Sequence, residues 1–435
     1  MKYLFKNISI LDQNSDELFK QCVVIDDGII AYVGDTTIQH MRYDRIIDGT
    51  NKLMIPALYN THTHLPMSIL KGYGEDLPLD KWLNERIFPA EDKLTNEAVY
   101  YASMLSIAEL LRNGVVSSSD MYSFCDEIAR AIEESGAKCN IGRGVVSFVP
   151  NQDESLNSRY LEAVDLHKRY HNTANSRIKI DMSIHAEYTS FPETVRIVSE
   201  YAKENDLGMH IHLSETRKEH EACIAKHGKT PTEYFNDLGV FDGRTVAAHC
   251  VHLSDGDIDI LADKGVYVSL CPTSNLKLAS GVARADYMSK RGVALTVGTD
   301  GSASNNNLDV LKELQLTSLL QKNLCSAPEA MPANAMLSLA TLQSARAQGR
   351  EKCGTVSEGM CADVVLLDIS DIAAYPMYGL ASSLMFSLNS RNVCLTMADG
   401  KILYENGEYT TIDIEKVKNK VQEISEKLYS GIPRS

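Results

Sequence analysis

The chain has 435 residues, 44% hydrophobic and 23% charged, the make-up of an ordinary globular protein too large for one small core. Its 43 basic and 58 acidic residues leave a formal charge of -15, which excludes the basic face that a nucleic-acid polymer requires. No run approaches the ~18 apolar residues of a membrane span and no apolar leader follows Met1, so a cytoplasmic setting without membrane is expected.

Residues 1–56 hold two strand-like runs, at 3–10 and 23–33, with a turn signal at Asp27-Gly28. From 57 to 353, strand-like segments alternate with helix-like ones. The strands end near Tyr59, Ser118, Gly142, Ile184, Ile211, Ala248, Leu270 and Gly298, and helical periodicity marks 95–112, 125–135, 156–170, 192–205 and 305–322. Eight strand-then-helix units predict an α/β protein built on a (β/α)8 TIM barrel. Residues 354–411 return to short strands, at 362–367 and 393–404, punctuated by Asp399-Gly400. Neither terminal set can bury a core alone, so the two are expected to form one small composite β-sandwich. A helix over 412–429 opens the last segment, 412–435. The ten cysteines show no Cys-x-x-Cys spacing, which predicts reduced thiols and excludes a zinc ribbon.

The chemistry lies at the strand ends. The run Asn60-Thr61-His62-Thr63-His64 closes the first barrel strand, and residues two apart on a strand face the same side. Alone, such a pair reads better as hydrogen-bonded core histidines than as ligands. His212 after strand five, His249 after strand six and Asp300 after strand eight occupy corresponding places, and a barrel brings those ends around one centre. That convergence predicts a metal site. No histidine follows His252, so a ligand from strand eight must be a carboxylate. Strand four ends in Ile184-His185, and Lys179 sits at its wrong end to bridge two ions, so a single ion is expected. His210 is read as a structural partner, and His220, His227 and His252 as solvated.

Glu215, just past strand five, is placed to act as an acid toward a substrate attacked by activated water. Its plainer reading is a carboxylate at the start of a helix over 216–226. Arg143 follows a strand end and suits a pocket; Arg159 reads as a solvated helix residue. His185-Ala186-Glu187 matches half of the cytidine-deaminase signature, but no Pro-Cys pair follows, so that reading fails.

With these residues in place, the chain resembles the amidohydrolase superfamily, in its mononuclear-metal branch of deaminases and chlorohydrolases. It is most similar there to the 5'-methylthioadenosine/S-adenosylhomocysteine deaminase family. The stretches that carry the likeness are 60–67, His212-Leu213-Ser214-Glu215-Thr216, 247–253, Ser274-Asn275-Leu276-Lys277-Leu278 and Gly298-Thr299-Asp300-Gly301. The resemblance implies one divalent ion per chain, zinc or iron, held by His62, His64, His212 and Asp300. It further implies that Asp300 takes the proton from the attacking water, that Glu215 protonates the ring nitrogen and that His249 orients the nucleophile. Glu91 matches the family residue for the ribose hydroxyls, Arg143 and Arg159 those for the homocysteine carboxylate, and His185 a substrate-contacting histidine.

The implied activity is hydrolytic deamination of an adenine nucleoside (methylthioadenosine, S-adenosylhomocysteine or adenosine) by a homo-oligomer. The alternatives are deamination or dechlorination of a guanine, pterin or triazine, and a non-catalytic scaffold. Two departures from the family pattern lie near the mouth: Ser269-Leu270-Cys271-Pro272 replaces Ser-His-Asn-Pro, and Glu187 stands where proline is common.

Overall fold

The computed structural model describes residues 1–11, 18–35, 42–148 and 157–429. Eight parallel strands run in sequence order around a barrel: β1 Leu58–Thr63, β2 Val115–Tyr122, β3 Lys138–Val145, β4 Met182–Ile184, β5 Met209–Leu213, β6 Thr245–His249, β7 Tyr267–Leu270 and β8 Ala294–Val297. A short strand, Ile178–Ile180, leads into β4 and pairs with β3. Asp181 interrupts the two, its carboxylate accepting hydrogen bonds from Asn140 Nδ2 at 2.8 Å and Arg244 Nη2 at 2.6 Å.

The seam between first and last strands is stitched by polar groups. Asp300 N–H donates to the His62 carbonyl at 2.9 Å, and Thr299 N–H to Asn60 Oδ1 at 3.1 Å. Inside the barrel Thr61 Oγ1 lies 2.7 Å from Ser269 Oγ and 2.9 Å from Thr296 Oγ1, so small buried hydroxyls satisfy one another. Strands β1, β2 and β3 run past the expected ends at Tyr59, Ser118 and Gly142. The added residues are largely polar yet mostly buried, as Asn60, Thr61, His62, Thr63, Ser119 and Asp120 are, and a hydrophobic pattern reads such a stretch as loop.

The helices follow their caps. Thr95 caps the helix Asn96–Arg112 through the Ala98 N–H, and Asn157 caps Ser158–Tyr170; the expected start at Leu156 lies outside the described residues. The expected helix over 305–322 is two helices, Ser302–Asn305 and Val310–Leu324. Asn306 takes a left-handed conformation (φ 66°) and Asp309 caps anew by accepting the Lys312 N–H, so the chain turns between them.

The termini meet in one mixed nine-stranded sheet in which Lys52–Pro56 pairs with Lys2–Leu11 on one side and Val364–Asp368 on the other. Side chains alternate along it: Met54, Val364 and Leu366 enter a core with Phe5, Ile25 and Met397, whereas Leu53, Ile55, Val365 and Leu367 join the barrel core. The edge strand Ile29–Gly34 folds back through Ile30 N–H to Met360 O at 2.9 Å, so the sheet covers its own core as a sandwich does. Both expected Asp-Gly turns have two positive φ values, 50° and 87° at Asp27-Gly28 and 45° and 71° at Asp399-Gly400, the hairpin geometry that favours this pair. The last helix, Ile414–Tyr429, packs Val417, Val421 and Ile424 inward, and Tyr429 OH reaches the Ala90 carbonyl at 3.4 Å. The tail 430–435 lies outside the described residues. Among those residues, no helix is long and apolar enough to cross a membrane.

Candidate active site

The C-terminal strand ends gather His62, His64, His212, His249 and Asp300 into one polar centre. Asp300 Oδ1 lies 3.4 Å from His62 Nε2 and 3.2 Å from His64 Nε2, and His212 Nε2 lies 3.4 Å from His64 Nε2. Two sets have ligand atoms within 4.8 Å of one another, His62 with His64 and Asp300, and His62 with His212 and His249. His249, expected only to orient the nucleophile, is therefore also within ligand range. His62 Nε2 is buried with only the long 3.4 Å contact to Asp300 Oδ1 to satisfy it, which fits an atom reserved for a cation.

Each imidazole is aimed by its other nitrogen. His62 Nδ1 pairs with His210 Nε2 at 2.9 Å, His64 Nδ1 with the Met121 carbonyl at 2.6 Å and His212 Nδ1 with the His185 carbonyl at 2.7 Å. His249 Nδ1 lies 2.8 Å from Asn275 Oδ1. The Nε2 atoms are thereby turned to the centre, the arrangement of metal-ligating histidines. The expectation for His210 as a structural partner is met. His252, expected to be solvated, instead pairs with the Ser280 carbonyl at 2.7 Å, and Nε2 of His227 is buried.

Burial pushes His62 down to about 4 and His212 well below the usual imidazole value, leaving both neutral. Burial would also lower His64, but its hydrogen bond and charge interaction with Asp300 raise it to about 9. Burial works to raise Asp300, yet the bonds and charges of His62 and His64 hold it well below the carboxylate range. Ser274 Oγ donates to Asp300 Oδ2 at 2.6 Å and Ser304 Oγ at 2.9 Å, fixing the carboxylate plane. Glu215 is raised chiefly by burial, its Oε2 3.8 Å from His249 Nε2 and its Oε1 accepting from Ser280 Oγ at 3.1 Å. Its plainer reading holds only in part: Thr216, one residue on, caps the helix Arg217–His227, while Glu215 turns into the pocket.

A cavity of about 530 Å³ opens above this centre. Its walls bring His64, His185, His212, Glu215, His249 and Asp300 together with Glu91, Arg143 and Arg159. Glu91, raised by burial, accepts from Tyr122 OH at 2.5 Å. Arg143 Nε donates to Glu162 Oε2 at 2.7 Å, and the Arg159 guanidinium lies 5.8 Å from the Phe148 ring centre. Arg159 is thus a wall of the cavity and not simply a solvated helix residue. Part of the apolar wall, Leu79, Trp82, Leu83, Ile87 and Phe88, comes from the loop after β1, where a wide π turn spans Trp82–Ile87. Sequence reasoning passed over them and over the orienting residues Asn275, Ser280 and Ser304; Asn275 stood in plain view within Ser274-Asn275-Leu276-Lys277-Leu278.

A closed parallel barrel with imidazoles and a carboxylate at its strand ends defines the class, an amidohydrolase-type enzyme, and the amidohydrolase family profile matches residues 53–403. Over 432 residues, 98% of this chain and 99% of the relative, the chain is 40% identical to a 5-methylthioadenosine/S-adenosylhomocysteine deaminase of Thermoanaerobacter pseudethanolicus. It is 41% identical over 391 residues, 90% and 91% of the two chains, to a 5'-deoxyadenosine deaminase of Methanothermobacter thermautotrophicus. The crystal structure of an adenosine deaminase from Xanthomonas campestris with bound zinc superposes with a TM-score of 0.93 at 29% identity, covering 98% of each chain. The chain belongs to the amidohydrolase family and, within it, to the 5-methylthioadenosine/S-adenosylhomocysteine deaminases.

Proposed function

We infer that this enzyme replaces the exocyclic amine of an adenine nucleoside with oxygen and releases ammonia, acting on methylthioadenosine and S-adenosylhomocysteine. One observation carries the reading: a single cavity joins the polar centre to a buried carboxylate, Glu91, and to two arginines, Arg143 and Arg159. A free heterocycle such as guanine or a triazine gives these groups nothing to bind. The activities named for the relatives agree.

His62, His64, His212 and Asp300 would hold one divalent cation, for which zinc is the proposal. Such an ion, when bound, supplies Lewis acidity that activates water near neutral pH. Asp300 then accepts the water proton. Glu215, whose burial raises it above the usual carboxylate value and so favours the acid form, donates a proton to the ring nitrogen beside the attacked carbon. His249, aimed by Asn275, orients the attacking oxygen. Glu91 receives the ribose hydroxyls, His185 contacts the substrate, and the arginines take the carboxylate of an amino-acid tail. In organisation we propose a composite unit, 1–56 with 354–411, a catalytic barrel over 57–353 and a C-terminal segment 412–435, in a cytoplasmic homo-oligomer.

An ammonia-release screen against adenosine, 5'-deoxyadenosine, methylthioadenosine, S-adenosylhomocysteine, guanine and a chlorotriazine tests the reading. Truncating Arg143 or Arg159 removes a charge-assisted contact of about 1.5–3 kcal/mol. The preference for S-adenosylhomocysteine over methylthioadenosine should therefore fall by roughly ten- to a hundredfold. Equal loss of both substrates would return the arginines to a structural role and favour a nucleoside without a carboxylate, as the name of the methanobacterial relative suggests.

A further inference from the structure

We propose that Glu219 is a positioning residue for catalysis, clamping the strained turn that carries Glu215 and tying it to the turn that carries His249. The inference rests on Glu215 as the proton donor. Glu219 lies in the first turn of the helix Arg217–His227 and completes a capping box with Thr216, whose Oγ1 accepts the Glu219 N–H at 3.1 Å. A capping box asks the glutamate only to receive the N–H of the cap residue, here Thr216 at 3.3 Å. Glu219 does more. Its Oε1 accepts the Ser214 N–H at 2.9 Å and its Oε2 the Glu215 N–H at 2.8 Å, so it reaches past the cap into the turn itself.

Three features make this more than a helix start. Glu219 is buried; burial and the charges of Glu215 and Glu187 raise it to about 7, and the N–H groups of Thr216 and Glu215 work against that rise by binding its carboxylate. Ser214 holds a left-handed conformation, φ 46°, which a residue with a side chain keeps only when its surroundings fix it. The Ser214 carbonyl in turn accepts the N–H groups of Val251 at 3.1 Å and His252 at 2.9 Å, while Cys250 N–H donates to the Leu213 carbonyl at 3.0 Å. His249 and Cys250 are themselves left-handed, with φ 72° and 51°. Two strained turns are thus locked together through Ser214, and Glu219 is the lock on the Glu215 side. What the lock fixes is the 3.8 Å separation of Glu215 Oε2 from His249 Nε2.

The test uses metal-loaded protein and follows ammonia release from the best nucleoside substrate, metal content and the thermal midpoint in E219Q, E219D, T216A and E215Q. An amide in place of the carboxylate cannot accept on both arms, so E219Q should lower kcat by about 10²-fold, the scale of a small misplacement, with KM and metal content unchanged. E219D keeps the charge but is one methylene too short to reach the Ser214 and Glu215 N–H groups together, so it should lower kcat in the same way. T216A removes only the helix cap and should lower the midpoint while sparing kcat. If E219Q, or E219D should E219Q fail to fold, keeps the wild-type kcat while E215Q is inactive, the inference is overturned. A loss in E219Q that falls on KM and metal content together overturns it too. A fully active E215Q overturns instead the reading of Glu215 on which it rests.

Discussion

His210 shows how far one buried side chain determines the behaviour of another. It lies beside the candidate ion site and aims His62 through the 2.9 Å contact between their rings. Replacing it with alanine should lower metal affinity by about 10- to 100-fold, measured by competition with a chelator, while the fold survives. His64→Ala or Asp300→Ala should go further and abolish both stoichiometric metal binding and turnover. Glu215→Gln should retain metal and lose about 10²- to 10⁴-fold in rate. The histidines and the aspartate at strand ends were legible in the sequence because a titratable side chain that closes an apolar run is costly to bury unless it has a task there. Ser280, Ser304 and Glu219 were not, since they reach the site from loops and helix starts where polar residues are ordinary and only tertiary contact gives them a role.

At the scale of elements, the seam between barrel and sheet rests on Lys138 at the start of β3. Its ammonium, buried, lies 2.6 Å from Asp363 Oδ2 and 2.7 Å from Asp399 Oδ1, and Tyr59 OH also donates to Asp363. Burial would raise Asp363, but the charge and hydrogen bond of Lys138 hold it below the usual carboxylate value. A carboxyl lowered in the folded state contributes stability that is present above the unfolded value near 4 and is lost as pH falls through the folded one. Acid unfolding of the wild type should therefore begin below about pH 4 at this seam, and Lys138→Met, which strands the buried carboxylate, should cost about 3–5 kcal/mol in denaturant unfolding at pH 7. The alternation of strand and helix was readable from periodicity. The break at Asn306 and the extra length of β1 to β3 were not, because buried polar residues and a recapped helix both leave the hydrophobic pattern silent.

For the molecule as a whole, a cation bound only by the folded centre must stabilise the fold by mass action. Dialysis against a chelator should lower the thermal midpoint, readdition of zinc should restore it, and His64→Ala should show neither change. The composite sheet has a different bearing. Tyr59 and Asp363 meet although they stand 304 positions apart, and Lys52–Pro56, with four of its five residues buried, has Val364–Asp368 as its partner on one edge. While the chain is being synthesised that edge has no native neighbour until nearly the whole barrel has been made. An apolar strand left open so long is a template for pairing with other copies, and contacts so distant in sequence form slowly. The same junction that unites the two ends of the finished enzyme is thus the place where a nascent or truncated chain is most exposed to aggregation and most dependent on chaperones.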